Sequence, residues 1–124
     1  MGDQRIVFDA IKERFPVEYT FTQFQENFKD WKFEYLYRDL VCIGAVMSNN
    51  GFIHIAISEP YRKTWAKKNE IKKLITNVMQ EGKAYTTIFR NDEFRAKFAE
   101  RLGFTMIEDG AIQTYEVKHE NLWK

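Results

Sequence analysis

Apolar and polar positions along the 124-residue chain switch between two periods, and the switches mark the elements. From Asp3 to Phe15, the residues Ile6, Val7, Ala10, Ile11 and Arg14 recur at helical spacing, and Pro16 stops the run. A second short helix is predicted from Gln23 to Asp30, with Thr22 as its cap and Gln25 in the capping-box position. Phe21 would staple its start, and Phe24 and Phe28 give it an apolar face. The period then falls to two. Phe33, Tyr35 and Tyr37 alternate through Lys32 to Arg38, and Val41 to Ser48 and Phe52 to Ser58 continue as strands. Asn49-Asn50-Gly51 is a hairpin signal, because Asn and Gly tolerate positive φ. With a turn at Arg38-Asp39-Leu40, the middle of the chain predicts a three-stranded antiparallel meander.

A long helix is predicted from Arg62 to Glu81, with Ile71, Leu74, Ile75, Val78 and Met79 as its buried stripe and Gly82 closing it. The strand Ala84 to Arg90 follows. A helix between it and Phe52 to Ser58 suits a crossover, so these two strands are expected to be adjacent and parallel. Asn91 or Asp92 can cap the next helix, Glu93 to Leu102. There Phe94, Phe98 and Leu102 recur every four residues and, with Phe104, are assigned to the core; Gly103 ends the helix. Strands Phe104 to Glu108 and Ala111 to Lys118 surround a turn at Asp109-Gly110. The fold class is α/β (α+β): one domain over residues 1–124, with a mostly antiparallel sheet flanked by helices.

Composition narrows the function classes. Eleven Phe make the core ring-rich. A net charge of +1 gives no general reason to expect nucleic acid or a membrane as partner. The single Cys42 excludes an intramolecular disulfide framework and fits a reducing compartment. No apolar run approaches the roughly 20 residues that span a bilayer, and the first residues lack a secretory stretch, so the cytoplasm is the expected location. No pair of Cys or His ligands lies close in sequence, so no metal motif is present.

Asn91, Ala96, Phe98, Leu102, Gly103 and Phe104, set between a strand and two closing strands, resemble the end of the Gcn5-related N-acetyltransferase family. The resemblance covers about Lys32 to Val117 and implies the acetyltransferase-like fold without its usual first strand. It also implies a cofactor, acetyl-CoA, whose pantetheine arm pairs with the edge of the family's fourth strand. Its pyrophosphate would rest on amides at the start of the following helix. The family's Gln/Arg-x-x-Gly-x-Gly/Ala motif falls on Arg62 to Lys67, with Trp65 and Lys67 at the glycine-type positions. The implied cofactor residues are Arg62, Lys63, Thr64, Trp65, Ala66 and Lys67, with Asn91. The family's general acid is a Tyr of the last helix, and Ala99 stands in its place. His54 and Glu59 are the candidate bases. Cys42 reads as a buried apolar residue rather than an acyl carrier, and Tyr85 and Tyr115 as sheet aromatics.

Two functional readings follow. In the first, the fold is non-catalytic, holds no cofactor and binds a protein. Phe52 to Ser58, the basic stretch Arg62 to Lys73 and the Phe-x-x-x-Leu-Gly-Phe ending are also similar to head-assembly and internal virion accessory proteins of short-tailed bacteriophages. The location would then be the host cytoplasm or the virion. Arg62, Lys63, Lys67, Lys68, Lys72 and Lys73, with Trp65 among them, are either a solvated face or a surface for an acidic protein such as another virion component. In the second, the chain is an acetyl-CoA-dependent N-acetyltransferase with a divergent pyrophosphate loop.

Overall fold

The computed structural model describes residues 2–65 and 67–123, so the candidate Ala66 lies outside the described residues. Helices α1 (Gly2–Ile11) and α2 (Phe21–Asn27) precede strands β1 (Lys32–Arg38), β2 (Val41–Asn49) and β3 (Phe52–Ile57). Then come α3 (Lys68–Val78), β4 (Lys83–Phe89), α4 (Glu93–Leu102), β5 (Thr105–Glu108) and β6 (Ile112–Lys118). The hydrogen-bonded strand order is β1-β2-β3-β4-β6-β5. β3 and β4 pair in parallel, as the crossover requires, while β1/β2, β4/β6 and β5/β6 pair antiparallel. The expected mixed, mostly antiparallel sheet flanked by helices is what the chain forms.

Two compact units share β3. The first comprises the chain up to Asn49 together with Ile55 onward to Trp65. Its core is ring-packed around Phe24, which is fully buried and lies 5.7 Å from Phe8, 5.2 Å from Phe28 and 6.1 Å from Phe33, centroid to centroid. Val7, Ala10, Ile11, Ala45, Met47 and Ala56 complete it. The second unit comprises Asn50–His54 and Lys67 onward. Its buried residues include Ile53, Ile71, Ile75, Ala84, Ile88, Leu102, Phe104 and Val117.

Turns follow the residues that permit them. Asn50 and Gly51 take φ of 49° and 86°, the positive values that a type I′ hairpin loop needs at both central residues. Gly44 faces a backbone neighbour at contact distance: a Cβ placed there would lie 2.0 Å from the Ala56 carbonyl oxygen. It adjoins a β-bulge, because Leu36 pairs Gly44 while Tyr37 pairs Cys42, leaving Ile43 as the extra residue.

Four expectations are corrected. The α2 cap is Thr20, not Thr22: Gln23 N donates to Thr20 Oγ1, and Thr20 N donates to the Gln23 side chain. Both positions satisfy the same short pattern, and Phe21 is drawn into the helix by packing on Phe8 at 5.4 Å. Helix α3 starts at Lys68 rather than Arg62. Glu59–Tyr61 form a 3₁₀ turn, and the carbonyls of Thr64 and Trp65 accept hydrogen bonds from the Arg38 guanidinium at 3.0 and 2.6 Å. A carbonyl engaged in this way is turned from the helical ladder. Helix α3 also ends at Val78, and Gly82 belongs to a turn in which Gln80 and Lys83 exchange backbone hydrogen bonds. Finally, Phe94 is 77% exposed, Phe98 half-buried, and Leu102 and Phe104 buried. Residues four apart advance about 40° beyond a full turn, so a row of them drifts off the buried face in two steps.

Candidate functional site

The parallel ladder of β3 and β4 pairs Phe52 with Tyr85, where Tyr85 N donates to Gly51 O at 2.9 Å. The Phe52 and Tyr85 rings stack at 5.3 Å. Side chains two residues on share a sheet face, which places His54 beside Thr87. The His54 Nε2 lies 3.4 Å from Thr87 Oγ1. His54 is half-buried, so its imidazole can be held by the fold while remaining reachable. A neutral imidazole is the side chain suited to take a proton near neutral pH. Burial, followed by the hydrogen bond to Glu116, its partner on β6, pushes the Tyr85 phenol above its ordinary value.

In the first unit the chain leaving β3 is held from two directions. The Arg62 Nε donates to Ile57 O at 2.9 Å, and its Nη2 pairs with Glu13 at 2.6 Å. Arg14 Nη2 donates to Ile55 O at 2.7 Å. Arg38 clamps Thr64 and Trp65 as above. The chain from Arg62 to Trp65 is therefore an anchored, irregular segment, with Arg62 and Trp65 half-buried and Lys63 and Thr64 exposed. Glu59 is exposed in the 3₁₀ turn.

In the second unit, Lys67 is the N-cap of α3 and its side chain makes no capping bond. The first-turn amides that a helix leaves open are therefore not satisfied by their own N-cap, and Lys67 and Lys68 add exposed positive charge. Lys68 Nζ lies 5.4 Å from the centre of the Trp123 ring. Lys73 is exposed and Lys72 half-buried. The predicted continuous helical stripe is not formed, because Arg62, Lys63 and Trp65 precede the helix and Arg62 is committed to Glu13 and Ile57. Asn91 is exposed in the turn before α4, and it is Asp92 that caps that helix through Arg95 N. Ala99 is buried on α4 and carries no proton to give. Burial raises the Cys42 thiol, which donates to Gly44 O at 3.6 Å, and a thiol so held is a poor nucleophile.

Sequence reasoning missed Arg14 and Arg38 as structural clamps. Arg14 did carry a trace, since it falls on the apolar stripe of the helix predicted from Asp3 to Phe15, where a charged head needs a buried partner; it lies in the 3₁₀ turn that follows α1. Arg38 carried none.

No family model and no curated protein matches the sequence. Solved structures do match. A mutant of the spermidine N-acetyltransferase SpeG from Vibrio cholerae superposes with a TM-score of 0.68 at 14% identity, covering 96% of this chain and 91% of that one. Mutant forms described as spermidine/spermine N-acetyltransferase SpeG from the same organism give 0.65 at 15% identity, covering 96% and 90%. A SpeG chimera gives 0.63 at 15% identity, covering 96% and 93%. At these identities the likeness concerns the fold: the chain has the fold of the Gcn5-related N-acetyltransferases.

Proposed function

We propose that the chain is an acetyl-CoA-dependent N-acetyltransferase with a divergent pyrophosphate loop. The observation that carries the reading is the parallel β3/β4 pairing at Phe52 and Tyr85, with a half-buried His two residues on, beside Thr87. His54 would take the proton of an attacking amine, and Thr87 would fix its ring. The residues present fit acetyl-CoA in part. The first turn of α3, which the Lys67 side chain does not cap, would suit a diphosphate together with the charges of Lys67 and Lys68. Trp65 and Lys67 at the glycine-type positions restrict how closely a backbone can approach it. When bound, acetyl-CoA supplies the activated acetyl group. Ala99 donates no proton to the departing thiolate, and the loss of a general acid typically lowers a rate by about 10²–10⁴-fold. A slow enzyme is the consequence.

The solved neighbours act, by name, on spermidine, so a polyamine is the first acceptor to test. Acetyl-CoA should raise the melting temperature: a ligand at roughly 100 times its dissociation constant adds about 2.7 kcal/mol. No shift at millimolar acetyl-CoA would refute the reading.

A second reading keeps the fold without the chemistry: a protein-binding accessory, in the phage resemblance a component that meets another virion protein. Ala99, together with the half-buried anchoring of Arg62 and Trp65, favours it. The solved neighbours are, by name, polyamine N-acetyltransferases and lend the phage role no support. Its partner surface would draw on the exposed lysines Lys67, Lys68 and Lys73. Reversing Lys67 and Lys68 to Glu should then abolish partner co-purification without altering the melting temperature. Retained association would refute this reading.

A further inference from the structure

Backbone groups of successive strand residues point to opposite edges. On β3, Ala56 and the following Ser58 face β2: Ser58 N donates to Ile43 O at 2.8 Å, and the Ala56 carbonyl crowds Gly44. The carbonyls of Ile55 and Ile57 therefore point to the other edge. Outward strand carbonyls are the acceptors that an extended, amide-bearing chain needs when it adds to a strand. Both are already engaged. Arg14 Nη2 donates to Ile55 O at 2.7 Å, and Arg62 Nε donates to Ile57 O at 2.9 Å. The two guanidiniums arrive from different segments, and Arg62 is braced by Glu13 at 2.6 Å and by Ala10 O at 3.4 Å. A strand edge can be blunted by one stray contact, but two consecutive outward carbonyls capped by cations form a closure along its length.

We infer that Arg14 and Arg62 form a latch that occupies the carbonyls of Ile55 and Ile57 on the side of β3 away from β2, and that it competes with the amide-bearing pantetheine arm of acetyl-CoA. The inference rests on the acetyltransferase reading and adds a regulatory element to it. The arm carries two amides, each with a donor. It can pair with Ile55 O and Ile57 O only by displacing the guanidiniums. No covalent step is involved; one set of hydrogen bonds replaces another. Wild-type affinity is therefore reduced by the cost of opening. Anything that engages Arg14 or Arg62 elsewhere, such as an anionic segment competing with Glu13, would favour the open state.

The test is a calorimetric titration of acetyl-CoA into the full chain and into Arg14→Ala and Arg62→Ala. The latch predicts at least tenfold tighter binding in Arg14→Ala, about 1.4 kcal/mol. Should either variant fail to fold, Glu13→Gln leaves both guanidiniums in place and loosens only the brace on Arg62; a smaller gain in affinity is then expected. If wild type binds acetyl-CoA and the folded variants bind it equally or more weakly, the latch is overturned and the acetyltransferase reading stands. If no form binds, including wild type, the acetyltransferase reading fails and the latch fails with it.

Discussion

Replacing Gly44 by Ala tests how β2 and β3 are held together. The Gly44 φ is 153°, and an added Cβ would sit 2.0 Å from Ala56 O, 2.9 Å from Ile57 Cα and 3.0 Å from Ala56 C. Separations below 3.0 Å are essentially never adopted by a real Cβ, so the strands must part by about 1 Å at this point. All three obstacles are backbone atoms, so no side-chain rotation relieves the clash. The cost has two sources. A residue forced into an unfavourable φ costs about 1–3 kcal/mol, and overpacking typically costs a further 1–3 kcal/mol. Their sum, about 2–6 kcal/mol, is a large part of the 5–15 kcal/mol that keeps a typical domain folded. Urea denaturation followed by circular dichroism measures it, with the midpoint falling and the slope unchanged. A loss below about 1 kcal/mol would show that β2 and β3 do not approach as described. It would also undermine the assignment of strand edges on which the latch depends.

Other outcomes follow from individual side chains. Phe24→Ala should cost about 3–5 kcal/mol, since the ring is fully buried among aromatics, whereas Phe94→Ala should stay within about 0.5 kcal/mol; comparable losses would contradict the placement of α4. Thr20→Ala should lose about 1 kcal/mol through its capping box and Thr22→Ala much less, and the reverse order would restore Thr22 as the cap. The Tyr37 hydroxyl donates to Asp3, and that bond holds the phenol up at about 12. Because the folded value is raised, its stabilisation is present below pH of about 10 and is lost as pH rises through about 12. The stability difference between wild type and Tyr37→Phe should therefore shrink across that window, and a pH-independent difference would exclude the bond.

Period alone made most of the fold legible. The meander, the crossover and the closing hairpin follow from alternation, helical spacing and turn residues, and the observed strands differ from the expected ones by a residue or two at their ends. What sequence could not show was decided at long range. Residues 62–65 carry helix-compatible side chains, yet Arg38, 26 residues before Thr64, takes the carbonyls that a helix would need. Phe94 followed a true apolar row, but the row winds off the buried face. Of the candidate site, His54 was legible as the residue alternating with isoleucines, whereas its proximity to Thr87 depends on the parallel register of β3 and β4. The basic stretch was legible as charge but not as position: Arg62 is spent inside the first unit, while Lys67, Lys68 and Lys73 remain exposed on the second.

The decisive measurement is acetyl transfer itself. The purified full chain is incubated with acetyl-CoA and spermidine, and free thiol is followed alongside the mass of the polyamine. Slow, amine-dependent thiol release matched by acetylated polyamine is expected, with His54→Gln lowering the rate by about 10²-fold or more. Thiol release that is absent, or that proceeds equally without amine and with His54 replaced, would contradict the acetyltransferase reading.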